Sequence, residues 1–243
     1  MKKDILEMQK VHLDNIINER KDGIGKEIED KFILNYTYDA ISLEGNNRIP
    51  FEDVKRLINK KIFLDYTERE QKEVLNHVNA FLKLKSFINQ ELDLTEEMIK
   101  DLHEIIVEGI FQGGFYRNVN IQLMGSMHQP TDHAKVYDRM HKLFTEIKSK
   151  NFNSKIEKAV YAHAGISKIH PFLDANGRVA RMVLNFYLMK EGYLPISIPF
   201  KDKIKYIELL EIFKIEKNLV PLTQYFKDLL INRYEETINS LEV

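Results

Sequence analysis

Apolar residues recur every three or four positions along most of this chain, which is the spacing of one face of an α-helix. Only 6 prolines and 10 glycines interrupt the pattern. The pattern therefore predicts a largely helical protein. The apolar stripes begin at or after Lys26, Thr67, Thr95, Ser154, Arg178, Tyr206 and Leu222.

Capping residues mark where several predicted helices begin and end. Thr67 with Glu70, and Ser154 with Glu157, have the spacing of capping boxes, and Gly45 follows the first stripe as a C-terminal stop. The first helix, about residues 26–45, is expected to bury Phe32, Ile33, Tyr36, Ala40 and Leu43. The helix after Thr67 is expected to face the core with Val74, Leu75, Val78, Phe81 and Leu82.

One short segment alternates instead of following the helical period. Val119, Ile121 and Leu123 alternate with polar residues, and Gly125 comes directly after them. Such alternation predicts a β-strand, and the glycine can turn it back into a hairpin. The predicted fold class is therefore all-α with a short β-hairpin.

Composition narrows the class of protein. The 243 residues carry 36 Lys and Arg against 37 Asp and Glu, so the net charge of −1 argues against a generic nucleic-acid surface. The absence of cysteine excludes disulfides, a thiol nucleophile and a thiolate metal site. No apolar run is long enough to cross a membrane, and charged residues break the first ten positions. We expect a cytoplasmic protein without membrane or nucleic-acid partners.

Candidate chemistry is concentrated between His170 and Arg181, at the junction of two predicted helices. The imidazole of His170 ionises near neutral pH and can accept a proton from a hydroxyl group. The Asp174 carboxylate offers the hard oxygen ligands that Mg²⁺ prefers beside phosphates. Arg178 and Arg181 present planar guanidinium groups suited to phosphate oxygens. The segment therefore predicts a site for a nucleotide phosphate chain.

Each candidate residue also has an ordinary structural interpretation. Asp174 could cap the helix that follows it, and the two arginines could pair with surface acids. Glu44 could be a solvated residue at a helix end. Tyr206 could begin an amphipathic helix, and Met124 could simply cover the core. The three histidines His128, His133 and His141 lack a clean metal-ligand spacing.

The same segment resembles the Fic family signature, His-x-Phe-x-Asp/Glu-Gly/Ala-Asn-Gly/Lys-Arg-x-x-Arg. Every fixed position is matched between His170 and Arg181. The resemblance extends over roughly residues 94–230, which implies a helical Fic core. We therefore divide the chain into an N-terminal helical region at 1–93, the core at 94–230 and a tail at 231–243.

The resemblance implies a role for each matching residue. In the family, a histidine deprotonates a target hydroxyl, which attacks the α-phosphorus of ATP and expels pyrophosphate. By position, these roles fall on His170 as the base, Asp174 as the Mg²⁺ ligand, Asn176 and Gly177 at the α-phosphate, Arg178 at the diphosphate, Arg181 at the γ-phosphate, and Phe172 as a buried anchor.

The segment from Gly114 to Gly125 resembles the flap of the same family. In the family this hairpin borders the nucleotide and holds the target protein by main-chain hydrogen bonds. The resemblance places Met124 beside the nucleotide, and it aligns Tyr206 with the adenine pocket.

Glu44 stands at the C-terminal end of the first predicted helix, where the helix dipole disfavours a carboxylate by about 0.3–1 kcal/mol unless a cation faces it. Glu44-Gly45-Asn46 resembles the family's inhibitory motif, Ser/Thr-x-x-x-Glu-Gly/Asn, whose glutamate pairs with the second arginine of the signature. Here that arginine is Arg181. One position departs from the motif, since Ala40 stands where the family has Ser or Thr.

The expected function is transfer of AMP from ATP to a protein hydroxyl, restrained by Glu44, with self-modification and removal of AMP as further activities. The same fold could instead transfer UMP, GMP, phosphocholine or a phosphoryl group. A chemically silent nucleotide-sensing module is the alternative outside enzymes. The expected partners are ATP, a protein target docking at the flap, and a second copy of the chain in a homodimer.

Overall fold

The computed structural model describes residues 5–20, 23–45, 47–60 and 65–242, and within them it contains ten α-helices and two short 3₁₀ helices. The α-helices are α1 (Ile5–Glu19), α2 (Ile24–Glu44), α3 (Phe51–Ile58), α4 (Glu68–Asn89), α5 (Glu96–Val107), α6 (Val136–Ser149), α7 (Lys155–Ile169), α8 (Asn176–Lys190), α9 (Lys203–Glu216) and α10 (Val220–Leu241). The 3₁₀ helices are His133–Lys135 and Phe200–Asp202. The all-α prediction is confirmed.

Helices α7 and α8 form the centre of the molecule. Nearly every residue of α8 is buried, and α7 packs along it. Helices α4, α5 and α10 surround this pair, and α1 packs against α10. α10 passes through position 230 without interruption. The three-part division of the chain stays a prediction.

The predicted caps form at α2 and α4, and half of the predicted capping box forms at α7, where the Glu157 side chain accepts the Asn153 N–H instead. Thr67 and Glu70 form the complete capping box at the start of α4, and Ser154 Oγ accepts the Glu157 N–H at 3.0 Å at the start of α7. Gly45 ends α2 in the left-handed conformation, with φ of 80°. All five apolar residues predicted to line the inner face of α2 are buried.

Part of the predicted inner face of α4 is wrong. Leu75 and Leu82 are exposed, although Val74 and Phe81 are buried. The reason is that polar residues occupy the inner positions. Asn76 Nδ2 donates to the Glu108 carbonyl at 2.9 Å, and His77 Nδ1 lies 3.1 Å from Thr37 Oγ1. The helix is therefore rotated so that these hydrogen bonds are buried.

The predicted β-hairpin does not form. Residues 118–130 are irregular, and the described residues contain no β-strand. A strand needs a backbone partner, but here side chains make the bonds of the segment. Asn120 accepts the His133 N–H at 2.8 Å and donates to Asp132 Oδ2 at 3.2 Å. We keep the word flap for this irregular segment.

Helix α2 is held against the core near its C-terminal end. Ser197 donates to Asp39 Oδ2 at 2.7 Å, and the Phe200 N–H donates to Asp39 Oδ1 at 3.3 Å. Burial raises the pKa of Asp39. One turn beyond Asp39, the helix presents Glu44. Through the regions the structure describes, no helix has the combination of length and apolar character that crossing a bilayer requires.

Glu70 is a buried carboxylate with several donors. It accepts hydrogen bonds from Thr67 Oγ1 at 2.8 Å, the Thr67 N–H at 3.0 Å and Arg48 Nε at 3.1 Å. Burial alone would raise the pKa of this carboxyl, but hydrogen bonds from Thr67 and Arg48 outweigh burial and lower the pKa to about 2.

We expect Glu70→Gln to unfold more easily than the wild type at neutral pH, with the difference shrinking in acid. A carboxyl whose pKa is lowered by folding stabilises the protein above its ordinary pKa and loses that effect as the pH falls toward the folded value. Urea midpoints measured from about pH 7 to about pH 3 test this. Glu52→Gln, in the first turn of α3, is the control. A pH-independent difference would contradict the assignment.

Candidate active site

The end of α7 places His170 at the site. His170 caps α7 with a left-handed backbone, φ 55°, and its N–H donates to the Ile166 carbonyl at 2.8 Å. Pro171 follows and has no N–H with which to continue the helix. The chain therefore turns sharply, with the imidazole at the turn.

Arg117 holds this turn in place through hydrogen bonds to main-chain carbonyl groups. The buried guanidinium donates to the carbonyls of His170 at 2.8 Å and Val119 at 2.7 Å, and also to the carbonyl of Thr131. The Arg117 N–H donates to the Pro171 carbonyl at 2.9 Å. One side chain thus joins both ends of the flap to the loop that carries the histidine.

The rest of the loop is braced by Asn176 and Phe172. The Asn176 amide accepts the Phe172 N–H at 2.8 Å and donates to the Phe172 carbonyl at 2.9 Å. Phe172 is fully buried and stacks on His103 with ring centres 3.8 Å apart. Phe172 is therefore placed as an anchor, and the Asn176 side chain fixes the loop. Ala175 joins the loop to α8 in the left-handed region, with φ of 62°.

The first two turns of α8 bury both arginines of the motif. Arg178 is 3% exposed and Arg181 is 4% exposed. Within the described residues, Nε and Nη1 of Arg178 and Nε of Arg181 are buried without a hydrogen-bond partner. Such unsatisfied donors are rare in folded proteins. An anion at the start of α8 would satisfy these donors. Buried arginines with unpaired donors therefore fit phosphate binding better than the alternative of pairing with surface acids.

Glu44 forms the expected ion pair with Arg181. Arg181 Nη2 donates to Glu44 Oε1 at 2.6 Å and to the Ala40 carbonyl at 3.2 Å. The carboxylate lies directly against Gly177 in the first turn of α8, because a Cβ at Gly177 would be 2.8 Å from Glu44 Oε1. The carboxylate therefore occupies the anion-binding end of α8.

Four of the residues described so far, Glu44, His170, Gly177 and Arg181, line one cavity of about 160 Å³. Helix α2 contributes Glu44, α7 and its cap contribute Ser167 and His170, and α8 contributes Gly177 and Arg181. Helix α9 closes the remaining side. Its residues in the lining are Lys203, Tyr206, Ile207, Leu210 and Lys214.

Burial lowers the pKa of His170 to about 4, and the charges of Lys214 and Arg117 act in the same direction. The imidazole is therefore neutral near pH 7 and able to accept a proton. His163, deeper in the core, lies 3.0 Å from the Tyr206 hydroxyl through its Nε2. Burial lowers the pKa of His163 to about 3.

Asp174 lies outside the residues that line the cavity, with its side chain 44% exposed. Its Oδ1 accepts the Ala175 N–H at 2.6 Å, and its Oδ2 lies 3.5 Å from Arg69 Nη2 and 3.9 Å from Arg178 Nη2. Asp174 does not cap α8, whose N-cap is Ala175. Across the described parts of the chain, no group of three or more His, Asp or Glu side chains is placed to hold a metal ion.

The two residues expected to border the base behave differently. Tyr206 is buried and lines the cavity. Met124 is fully exposed and does not line the cavity, and its position beside the nucleotide stays a prediction. The reason for its exposure is the turn at Met124 and Gly125, where Gly125 has a φ of 77° and the preceding side chain points to solvent.

Sequence reasoning missed several residues at the site. Arg117 belongs to the Gly-Phe-Tyr-Arg segment, but two of the carbonyl groups that it binds, those of Thr131 and His170, are distant in sequence. Lys203 and Lys214 on α9 line the cavity, and only the packing of α9 against α7 reveals this. Lys214 Nζ is paired with Glu211 Oε1 at 3.0 Å.

Comparisons with known proteins agree with this geometry. Residues 93–188 match the model of the Fic/DOC family. Protein adenylyltransferase Fic of Drosophila persimilis is 26% identical over 197 residues, which cover 79% of this chain and 38% of that protein. The protein of the same name from Drosophila melanogaster is 25% identical, and 39% of it is covered. The chain thus spans well under half the length of these curated relatives.

Solved structures show the same fold. A Fic domain containing signaling protein from Bacteroides thetaiotaomicron superposes with a TM-score of 0.88 at 23% identity, covering 98% of this chain and 97% of the other. Fic-1 from C. elegans superposes with a TM-score of 0.82 at 18% identity, covering 98% of this chain and 73% of the other. The fold and the matched segment define a Fic-type domain. Residues 93–188 of this chain form a Fic/DOC family domain.

We expect Arg117→Met to lower the free energy of unfolding by about 1–3 kcal/mol, because buried carbonyl groups lose their donor. Hydrogen exchange should also rise in residues 118–131 and near His170, which Arg117 connects. Arg56→Met, which removes a mostly exposed ion pair with Asp53, is the control. Unchanged exchange in both segments of Arg117→Met would show that the guanidinium does not connect them.

Proposed function

We propose that this chain is a protein adenylyltransferase that transfers AMP from ATP to a hydroxyl side chain of a protein, under restraint by Glu44. The observation that supports this best is the convergence of His170, Arg181 and Glu44 on one cavity at the start of α8. The relatives named protein adenylyltransferase support the same reaction.

In the proposed reaction, the neutral imidazole of His170 accepts the proton of the target hydroxyl. The hydroxyl oxygen forms a bond to the α-phosphorus, and the bond from that phosphorus to the oxygen bridging to the β-phosphate breaks. Pyrophosphate leaves with the electron pair, and the target carries AMP as a phosphodiester. Deprotonation by a placed base contributes about 10²–10⁴-fold to such reactions.

The start of α8 binds the phosphates in this proposal. Gly177 lets an anion approach the backbone closely, and the helix N-terminus favours negative charge. Arg181 would receive the γ-phosphate when Glu44 withdraws. Arg178 would receive the diphosphate, which would satisfy its buried N–H groups.

Asp174 is the residue that would hold Mg²⁺. Its half-exposed carboxylate fits an ion that takes one or two protein carboxylates and completes its shell with phosphate oxygens and water. When bound, the ion would supply positive charge to the departing pyrophosphate. The protein residues would still orient the phosphates and hold the proton at His170.

Glu44 would restrain the reaction by occupying the position of the γ-phosphate. The cavity beside it measures about 160 Å³, whereas pockets for drug-sized ligands measure about 300–1,000 Å³. An ATP whose γ-phosphate pairs with Arg181 would also require the carboxylate to leave, because Glu44 already holds Arg181 Nη2 at 2.6 Å. The absence of Ser or Thr at position 40 does not prevent this contact, because Arg181 uses the main-chain carbonyl of Ala40.

We expect Glu44→Gly to transfer at least about tenfold more α-labelled phosphate to protein than the wild type, since a tenfold change corresponds to only about 1.4 kcal/mol. Parallel incubations with Mg²⁺ and ATP labelled at the α- or γ-phosphate measure the transfer. Glu44→Gly with His170→Ala should transfer none. Label from the γ-phosphate alone would reject AMP transfer, and no label with any variant would indicate a silent nucleotide-binding module.

Glu44→Gln is the matched control for charge, since it keeps the shape of the side chain. We expect Glu44→Gln to transfer more α-label than the wild type and less than Glu44→Gly, because an amide binds Arg181 more weakly than a carboxylate does. Calorimetry of ATP binding should rank the three proteins in the same order. Equal ATP affinity in all three would contradict competition for Arg181.

We expect AMP transfer by Glu44→Gly to persist as the pH falls through the ordinary histidine pKa of 6.5 and to decline only toward about 4. Burial lowers the pKa of His170, so the neutral, proton-accepting form survives in weak acid. The negative charge of Glu44 raises that pKa, so the loss of this charge acts to lower the pKa of His170 further. Values of kcat/KM against pH, with circular dichroism at each pH, test this. An acid midpoint at or above 6.5 would contradict it.

A further inference from the structure

A second groove, of about 550 Å³, lies between α6, α7 and α9. We call it the basic groove. Five cations line it, against the single carboxylate of Glu146. The chain as a whole has a net charge of −1, so the positive charge is a local property of this surface. The five cations are Arg139, Lys142, Lys150, Lys168 and Lys217.

Most of this positive charge is not neutralised by the protein. Glu146 is already used, since its Oε2 accepts the Tyr161 hydroxyl at 2.5 Å and its Oε1 lies 3.8 Å from Lys142 Nζ. Among the ion pairs of the described residues, none involves Arg139, Lys150 or Lys217. Like charges held close together repel, so this arrangement favours an anionic occupant.

The floor of the basic groove is aromatic. Lys150 Nζ lies 4.5 Å from the centre of the Tyr161 ring, and Lys168 Nζ lies 5.6 Å from the centre of the Phe213 ring. Lysines therefore cover the ring faces on which nucleic-acid bases would stack. A peptide with carboxylate side chains needs no such faces and would pair with the lysines directly.

The basic groove adjoins the candidate active site. In α7, Ser167 lines the nucleotide cavity and the next residue, Lys168, lines the groove. In α9, Lys214 lines the cavity and Lys217, one turn later, lines the groove. Thr131, whose carbonyl Arg117 binds together with that of His170, is also in the groove lining.

From this placement we propose that the basic groove binds an acidic segment of the protein that is modified, beside the hydroxyl that reaches His170. The proposal rests on the proposed function for the identity of the occupant. Its own basis is the unneutralised charge and the shared helices. It goes beyond main-chain binding at the flap, because it selects targets by charge.

A binding experiment tests the groove without catalysis. The probe is a fluorescein-labelled peptide with one threonine followed by six aspartates or glutamates, and the reference peptide has glutamines in their place. Fluorescence anisotropy at low salt compares the wild type with Lys150→Glu/Lys217→Glu. Lys26→Glu/Lys55→Glu, on the α2 and α3 side, changes the net charge equally and is the control.

We expect the groove variant to bind the acidic peptide at least about tenfold more weakly, with the control within about twofold, because only nearby charges escape screening. Equal weakening by both variants would overturn the proposal, since net charge alone would explain it. So would a single-stranded oligonucleotide that binds the wild type more tightly than the acidic peptide and competes with it.

Transfer of α-label to the two peptides by Glu44→Gly separates this inference from the proposed function. We expect the groove substitutions to raise KM for the acidic peptide, leaving its kcat and the neutral peptide unaffected. An acidic peptide that binds in the groove, with no α-label on the peptide or on any protein, would support the groove and refute AMP transfer. Label transfer that is indifferent to peptide charge would support AMP transfer and refute the groove.

Discussion

The buried guanidinium of Arg181 is the constraint on which the site depends. A buried charge is costly unless it is paired, and removing one partner of a buried pair costs about 3–5 kcal/mol. Arg181 is 4% exposed, and the Glu44 carboxylate, 2.6 Å from its Nη2, supplies the negative charge. The buried face of α2 and the bonds of Asp39 to the chain before α9 hold Glu44 in this position.

The loop between α7 and α8 shows how the fold makes a rigid site from an irregular segment. Two non-glycine residues of this loop, His170 and Ala175, have left-handed backbone conformations, which cost free energy. Backbone groups on either side are fixed by Arg117 and Asn176. These hydrogen bonds stabilise conformations that the local sequence alone would not adopt.

Most of the helical fold can be predicted from the sequence, because caps and apolar stripes depend only on residues close together in the chain. The ends of α2, α4 and α7 could be read from Gly45, Thr67 and Ser154 for this reason. The pairing of Glu44 with Arg181 could also be predicted, but only from the resemblance, because the two residues are 137 positions apart.

Features that depend on tertiary partners could not be predicted. The alternation in the flap resembles a strand, but no strand forms in the described residues, and the turn at Gly125 points Met124 outward. The inner face of α4 was misassigned because buried hydrogen bonds of Asn76 and His77 decide its rotation. The basic groove is assembled from three helices, and no single stretch of sequence reveals it.

Gly177 has a consequence for how this protein can evolve. Its missing Cβ leaves the space in which the Glu44 carboxylate lies, and the same opening is where a phosphate would approach α8. A larger residue there would exclude both anions together, so position 177 offers no means of adjusting one without the other. Substitutions that weaken or strengthen the contact of Glu44 with Arg181 alone therefore fall in α2 and its attachments, where they leave the residues of α8 unchanged.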